Sequence, residues 1–168
     1  MGGWGDLNVA QIVQNGITLF QFLIIQIIVI VLGFSAVAAP LNLINSGLEQ
    51  LQQENYQQGR LIFNQVLKED PEHFKAREYR CLTQLNLGEL ESAIADCSKV
   101  ITETPHSINA YLWRGLAYYR YHNYQAAIND YNYILSQESN HTQALYNRGL
   151  AYSAIAQFSK ALSDYYFP

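Results

Sequence analysis

Three arginines and three aspartates recur in this sequence at a fixed spacing that suits ion pairs. The arginines lie 34 residues apart, and an aspartate follows each of them by 16 residues. The resulting pairs are Arg80 with Asp96, Arg114 with Asp130, and Arg148 with Asp164. A guanidinium group binds a carboxylate through two parallel hydrogen bonds. We interpret the set as a structural ladder, formed within or between neighbouring units, because each arginine has an acid to neutralise it. The alternative is an anion-binding row of arginines.

The cysteines and histidines offer less chemistry. Cys81 and Cys97 are also 16 residues apart. They read as two buried, reduced cysteines that fill one hairpin, or as a disulfide if the domain is exported. The four histidines are far apart and lack the spacing of metal ligands. No nucleophile with a base, phosphate-binding glycine loop or carboxylate pair is visible, so we predict no catalytic site, no metal, no cofactor and no enzyme.

An uncharged apolar segment occupies residues 17–39, after a lead-in of residues 1–16. Fifteen of its residues are Ile, Leu, Val or Phe. As a helix it would be about 35 Å long, enough for a hydrocarbon core of about 30 Å. We therefore predict a transmembrane helix, in contact with lipid, that anchors the chain.

Cleavage is the alternative for this segment. Ala36-Val37-Ala38 resembles a signal-peptidase site, and cleavage near Ala38 would release an exported soluble protein. The absence of Lys and Arg before Arg60 argues against a signal peptide, which needs a positive start. Basic residues only on the C-terminal side predict that the following domain is cytoplasmic, or on the equivalent stromal side. The net charge of −4 and the lack of a basic stripe predict no nucleic-acid partner.

Residues 40–168 repeat with a period of 34, with units starting at 40, 74, 108 and 142. Small residues recur at the eighth and twentieth positions, where they let two antiparallel helices approach closely. Bulky residues recur at positions 17, 24 and 27. Proline closes the first two units at Pro71 and Pro105, where it stops a helix. Since one hairpin cannot bury its own apolar face, such units must stack.

The sequence resembles the tetratricopeptide repeat family. Two segments carry the resemblance, AYLWRGLAYYRYHNYQAAINDY and ALYNRGLAYSAIAQFSKALSDYY. The resemblance implies an α-solenoid of three full hairpins and one truncated hairpin. Together with the apolar segment it predicts an all-α fold in which a transmembrane helix precedes the solenoid. It also implies that the domain is a protein-binding scaffold.

By the geometry of that family, the first helix of each hairpin lines a concave groove that binds another protein. The residues predicted to form or adjoin this groove are Leu48, Leu51, Glu78, Tyr79, Leu82, Leu85, Asn109, Leu112, Trp113, Leu116, Tyr119, Arg120, Tyr146 and Leu150. This apolar, aromatic surface suits an extended or helical segment with apolar anchors.

The last hairpin is followed by no polar capping helix, which such arrays normally need. We therefore predict an apolar docking surface there, for a partner or for self-association with a second copy. Its residues are Leu162, Tyr165, Tyr166 and Phe167.

The functional hypothesis is a membrane-anchored scaffold or adaptor whose partner is a membrane protein or a subunit of a membrane complex. An assembly factor for a photosynthetic or respiratory type of complex is one form that the resemblance allows. The alternatives are an integral accessory subunit of such a complex and an exported soluble binding protein.

Overall fold

The computed structural model describes residues 23–24, 27 and 42–166 of the 168-residue chain. The predicted lead-in and most of the predicted span, residues 17–39, lie outside the described residues, as does Phe167. Within the part that is described, no helix is both long enough and apolar enough to cross a membrane. The helical repeats belong to one compact unit, Leu43–Pro168.

The described part of the repeat unit is entirely helical, with no β-strand between residues 42 and 166. Helix α1 comprises residues 42–52 as described. The helices that follow it are α2 (Tyr56–Glu69), α3 (Phe74–Leu87), α4 (Leu90–Glu103), α5 (Ile108–Arg120), α6 (Tyr124–Gln137), α7 (Thr142–Ala154) and α8 (Phe158–Tyr165). They pair into hairpin 1 (α1 and α2), hairpin 2 (α3 and α4), hairpin 3 (α5 and α6) and hairpin 4 (α7 and α8). Helices α3, α5 and α7 therefore begin at the first residues of the second, third and fourth predicted repeats.

The same local signals start the first helix of each of hairpins 2 to 4. The residue before each helix caps it, because its side chain accepts a hydrogen bond from the backbone N–H three residues later. These caps are His73 to Ala76, Ser107 to Ala110 and His141 to Ala144, at 3.2, 3.3 and 3.2 Å. Two of the four histidines thus act as helix caps.

The turn inside every hairpin contains one residue in the left-handed conformation, always at the fifteenth position of the repeat. It is Glu54 (φ 58°), Gly88 (φ 78°), His122 (φ 62°) and Ala156 (φ 58°) in hairpins 1 to 4. Only hairpin 2 uses glycine, the residue that adopts this conformation without steric cost.

Each core is shared between one hairpin and the first helix of the next. Cys81, Leu85, Cys97 and Val100 of hairpin 2 pack with two alanines of α5. A second core joins hairpin 3 to two alanines of α7, and a third lies in hairpin 1 and reaches Ala76 of α3. Because apolar burial is completed by the neighbouring hairpin, the units are stable only as a stack.

Candidate functional site: the concave face

The first helices of hairpins 2 to 4 lie side by side. Helix α3 contacts α5, and α5 contacts α7, whereas α4, α6 and α8 as described do not contact one another. A stack in which only the first helices touch is curved toward them. The face formed by α3, α5 and α7 is therefore the concave one, and α1 extends the series as the first helix of hairpin 1.

A leucine at the ninth position of every repeat runs along this face. We call Leu48, Leu82, Leu116 and Leu150 the leucine row. All four side chains are half-buried. Each repeat thus presents one apolar contact at an equivalent place, and the row forms an apolar floor that crosses all four hairpins.

Polar side chains border the leucine row on both sides. At the second position of repeats 2 to 4 the exposed residues are Lys75, Asn109 and Gln143. At the thirteenth position of repeats 2 and 3 they are Asn86 and Arg120. Arg120 is held in place because its Nη1 donates to the carbonyl oxygen of Leu85 at 2.9 Å. An apolar floor with a polar rim can bind a segment that alternates apolar and polar side chains.

One rim contact links two hairpins through a buried carboxylate. Glu78 is only 2% exposed. Lys75 Nζ donates to one of its oxygens at 2.6 Å, and the Ser107 hydroxyl donates to the other at 2.5 Å. The hydrogen bond to Glu78 raises the pKa of Lys75. This cluster fixes the start of α5 against α3, and no motif in the sequence predicts it.

The predicted groove residues differ in accessibility. Asn109, Arg120 and Tyr146 are exposed. The half-buried ones are Leu48, Leu51, Tyr79, Leu82, Trp113, Leu116, Tyr119 and Leu150. Glu78, Leu85 and Leu112 are buried, so they support the groove from beneath and present almost no surface to a partner. Leu85 and Leu112 belong to the inter-hairpin cores. That the more accessible groove residues bind a partner stays a prediction.

The three arginine–aspartate pairs lie within hairpins 2, 3 and 4. In each pair Nε and Nη2 of the arginine donate to the two carboxylate oxygens, at distances from 2.6 to 2.9 Å. The remaining Nη1 donates to a side chain of the preceding hairpin. These contacts are Arg80 to Asn64, Arg114 to Ser98 and Arg148 to Asn132, at 2.9, 3.1 and 2.7 Å. Each arginine therefore joins two helices of its own hairpin and ties that hairpin to the previous one.

The surroundings of these pairs explain why they are structural. Burial raises the pKa of Asp130, and the hydrogen bonds from Arg114 oppose that shift. In hairpin 4 the hydrogen bond to Asp164 raises the pKa of Arg148. Since the guanidinium groups are occupied by carboxylates and by the preceding hairpin, this row is not an anion-binding site.

Cys81 and Cys97 form a disulfide in the structure, with their Cα atoms 5.6 Å apart. Both are completely buried. The interpretation of two reduced cysteines is thereby replaced by the second alternative, a covalent bridge between α3 and α4. Among the described residues, no group of three or more His, Cys, Asp or Glu side chains is placed to hold a metal ion.

The predicted docking surface on hairpin 4 is apolar and exposed where it is described. Leu162 is 54% exposed, Tyr165 40% and Tyr166 80%. The equivalent of Leu162 in hairpin 3 is Ile128, which is buried in the core shared with α7. Whether these residues bind a partner stays a prediction.

The segment 44–108 matches the family described as Tetratricopeptide repeat. This segment carries tetratricopeptide repeats. This match spans hairpins 1 and 2, and the recurrence of the same hairpin carries the pattern through hairpins 3 and 4. The prediction of this repeat family and of an all-α solenoid is confirmed.

Solved structures of repeat proteins share the fold. MamA of Desulfovibrio magneticus RS-1, from residue 41 to its end, is 21% identical with a TM-score of 0.72, over 75% of this chain and 71% of that one. A thermophilic TPR protein of Thermus thermophilus is 20% identical with a TM-score of 0.67, over 74% and 70% of the two chains. A tetratricopeptide repeat protein of Parabacteroides merdae ATCC 43184 is 20% identical with a TM-score of 0.67, over 75% and 50%. No curated protein sequence matches the chain. Identities this low carry the fold alone.

Proposed function

We propose that this protein is a membrane-tethered scaffold whose leucine row and polar rim bind a segment of another membrane protein. The observation that carries the proposal is the half-buried leucine at the ninth position of all four first helices. Helical repeats of this kind are platforms for protein–protein interaction, and the half-buried leucines combine apolar character with accessible area on the concave face.

The chemistry of the groove defines the segment that fits it. The leucine row favours apolar side chains spaced so that one reaches each hairpin. The amide groups of the rim favour a polar backbone or polar side chains between them. Of the two cations in the rim, Lys75 is paired with Glu78 and Arg120 donates to the carbonyl oxygen of Leu85. Because the leucine row supplies the contacts that each hairpin repeats, we expect binding that depends more on apolar contacts than on salt concentration.

A pair of matched double variants tests the groove. Leu82→Ser with Leu116→Ser removes two members of the leucine row. Leu61→Ser with Leu135→Ser removes two leucines from the second helices α2 and α6, where Leu61 is 55% exposed and Leu135 is half-buried. Full chains are purified in mild detergent from membranes that make the protein naturally, and co-purifying proteins are quantified.

The groove variant should lose its co-purifying protein at least tenfold relative to the wild type, while the control retains it. Circular dichroism verifies that both variants stay helical. Equal retention by both variants would refute binding at the leucine row.

The membrane tether rests on the apolar segment 17–39. It is supported by fifteen large apolar residues without a charge, and tethering would raise the effective concentration of the groove near a membrane partner. The full chain should remain in membranes after an alkaline carbonate wash, whereas a chain that begins at residue 40 should be extracted. The mass of the mature protein distinguishes an anchor from a signal peptide cleaved near Ala38.

An assembly role and a subunit role differ in stoichiometry. We favour an assembly factor for a membrane complex, because a groove built from half-buried leucines suits reversible binding. An accessory subunit would stay in a fixed ratio to its partners through purification at increasing salt. A constant ratio would therefore replace the assembly role with the subunit role.

A further inference from the structure

In hairpins 1, 3 and 4 the two helices meet through the same pair of residue types. A glycine at the eighth position lies directly against an aromatic ring at the twenty-fourth. A Cβ atom on Gly47 or Gly115 would approach the rings of Phe63 and Tyr131 to 2.5 and 2.7 Å, and one on Gly149 would collide with the ring of Tyr165 in the same way. Real Cβ atoms do not come so close, so the aromatic ring and the glycine require each other.

Hairpin 2 has different residues at both of these positions. The glycine is replaced by Cys81 and the ring by Cys97. A cysteine opposite an aromatic ring would collide with it, so Cys81 fits only because Cys97 leaves the space free. The two sulfur atoms then meet inside the core, between Leu85, Val100 and the alanines of α5.

The pair is also placed where a bond between the sulfurs strengthens the fold. The Cα separation of 5.6 Å lies in the ordinary range for disulfides. The bridge closes a loop of 16 residues that contains the turn at Gly88, and it joins α3 to α4 at their middle. Complete burial of both cysteines shields the bond from soluble thiols, so it persists once the domain has folded.

We propose that the Cys81–Cys97 disulfide is the native staple of hairpin 2, and that the repeat domain therefore folds on an oxidising side of its membrane. Disulfides persist in exported and periplasm-like compartments and are reduced in the cytosol. In the bond-forming step the two thiols lose two protons and two electrons. A partner disulfide of a thiol oxidoreductase accepts them and becomes a dithiol.

This inference changes the side predicted for the domain. The cytoplasmic placement rests on basic residues that begin at Arg60, about 20 residues beyond the predicted span, where that rule weakens. The disulfide buried in the core is stronger evidence about the compartment than the positions of these basic residues. The compartment assignment rests on the proposed membrane tether, whereas the staple does not, so the two fail separately.

Thiol counting in the natural host tests the proposal first. Cells are quenched in acid and the full chain is denatured, then treated with a maleimide-linked polyethylene glycol before or after reduction. We expect no gel shift before reduction and a shift by two adducts after it. Two adducts without reduction would overturn the proposal. Loss of groove binding would leave it standing, and loss of the tether would remove the compartment assignment but leave the staple.

A stability measurement with a matched variant tests the staple itself. Cys81→Gly with Cys97→Tyr installs the pair found in hairpins 3 and 4. Reduction of the wild-type full chain in detergent should lower its Tm by on the order of 10 °C. The double variant should show no change in Tm when the reductant is added.

The wild type is its own control if the double variant does not fold. Its thiol content after reduction is measured on the same sample. A wild-type Tm that is unaltered although two thiols have been freed would show that the bridge does not stabilise hairpin 2, and would overturn the staple.

Discussion

Hairpins 2 and 3 share a backbone path and a position in the middle of the stack, but different side chains hold them together. Hairpin 2 joins its helices through the Cys81–Cys97 bridge, and hairpin 3 through the contact of Gly115 with Tyr131. Hairpin 2 places glycine in its turn, whereas hairpin 3 has the strained His122 there.

A second contrast lies at the fourth position of the two repeats. Arg77 in hairpin 2 donates to Glu103 at 2.7 Å and to the carbonyl oxygen of Pro71. Tyr111 in hairpin 3 instead stacks on Tyr133, with ring centroids 3.9 Å apart. The two hairpins therefore have the same helix arrangement, although different interactions fill the space between their helices. Substitutions that give one hairpin the residue pair of the other therefore test whether each pair depends on its own partner.

The largest effect is expected at the glycine of hairpin 3. Gly115→Cys introduces a Cβ at 2.7 Å from the buried Tyr131 ring, and it should lower the free energy of unfolding by about 3 kcal/mol, in line with overpacked cores. Adding Tyr131→Cys recreates the pair of hairpin 2. The double variant should regain most of that loss under oxidising conditions, measured by urea unfolding, and lose it again with reductant. A Gly115→Cys variant as stable as the wild type would contradict the proposed packing.

The ion pairs come next. The side chains of Arg114 and Asp130 are 18% and 6% exposed, against 23% and 12% for Arg80 and Asp96. Asp130→Asn should cost about 2–4 kcal/mol, because it leaves a largely buried guanidinium without a counter-charge. Asp96→Asn should cost less. Urea midpoints of the two single variants rank the pairs, and a larger loss for Asp96→Asn would contradict the ranking by burial.

A smaller effect is expected in the turns. His122→Gly should raise the free energy of unfolding by about 0.5–1 kcal/mol, since glycine adopts the left-handed conformation without strain. The gain is reduced by loss of the contact between His122 Nδ1 and the Tyr124 hydroxyl at 2.8 Å. The reciprocal change, Gly88→Ala, should destabilise hairpin 2. The two thermal shifts should have opposite signs, and equal signs would mean that the turn conformation is not the cause.

The smallest effect concerns a single buried hydroxyl group. The Tyr131 hydroxyl has no hydrogen-bond partner among the described residues, and burial raises the pKa of this phenol well above its usual value. Tyr131→Phe should therefore be neutral or stabilising by up to about 1 kcal/mol, as Phe63 fills the same place in hairpin 1. A loss of more than about 1 kcal/mol in the free energy of unfolding, measured in urea, would show that the hydroxyl group makes a hydrogen bond.

The repeat architecture could be predicted from the sequence because its signals are local and recur. Small residues at positions 8 and 20 set the period, and the first helices begin at Phe74, Ile108 and Thr142, where the alignment starts each unit. The 16-residue offset between arginine and aspartate is likewise enough to bring both onto facing helices of one hairpin.

The contacts that could not be predicted from the sequence are those made with the adjacent hairpin. Whether Leu85 and Leu112 face the groove or the core is decided by the next hairpin, which buries them. The bonds from Arg114 to Ser98 and from Ser107 to Glu78 also cross between hairpins. Two cysteines 16 residues apart face each other across one hairpin whether they are thiols or a bridge, and the packing that brings their Cα atoms to 5.6 Å decides between these.

Photocrosslinking in native membranes tests the central claim, that the concave face binds another protein, most directly. A benzophenone amino acid replaces Arg120 on the groove rim, or Leu61 on α2 as the control, and the full chain is irradiated where it is made. We predict one defined crosslinked protein from position 120, and none from position 61. Crosslinks to the same protein from both positions, or none from the groove, would contradict the account.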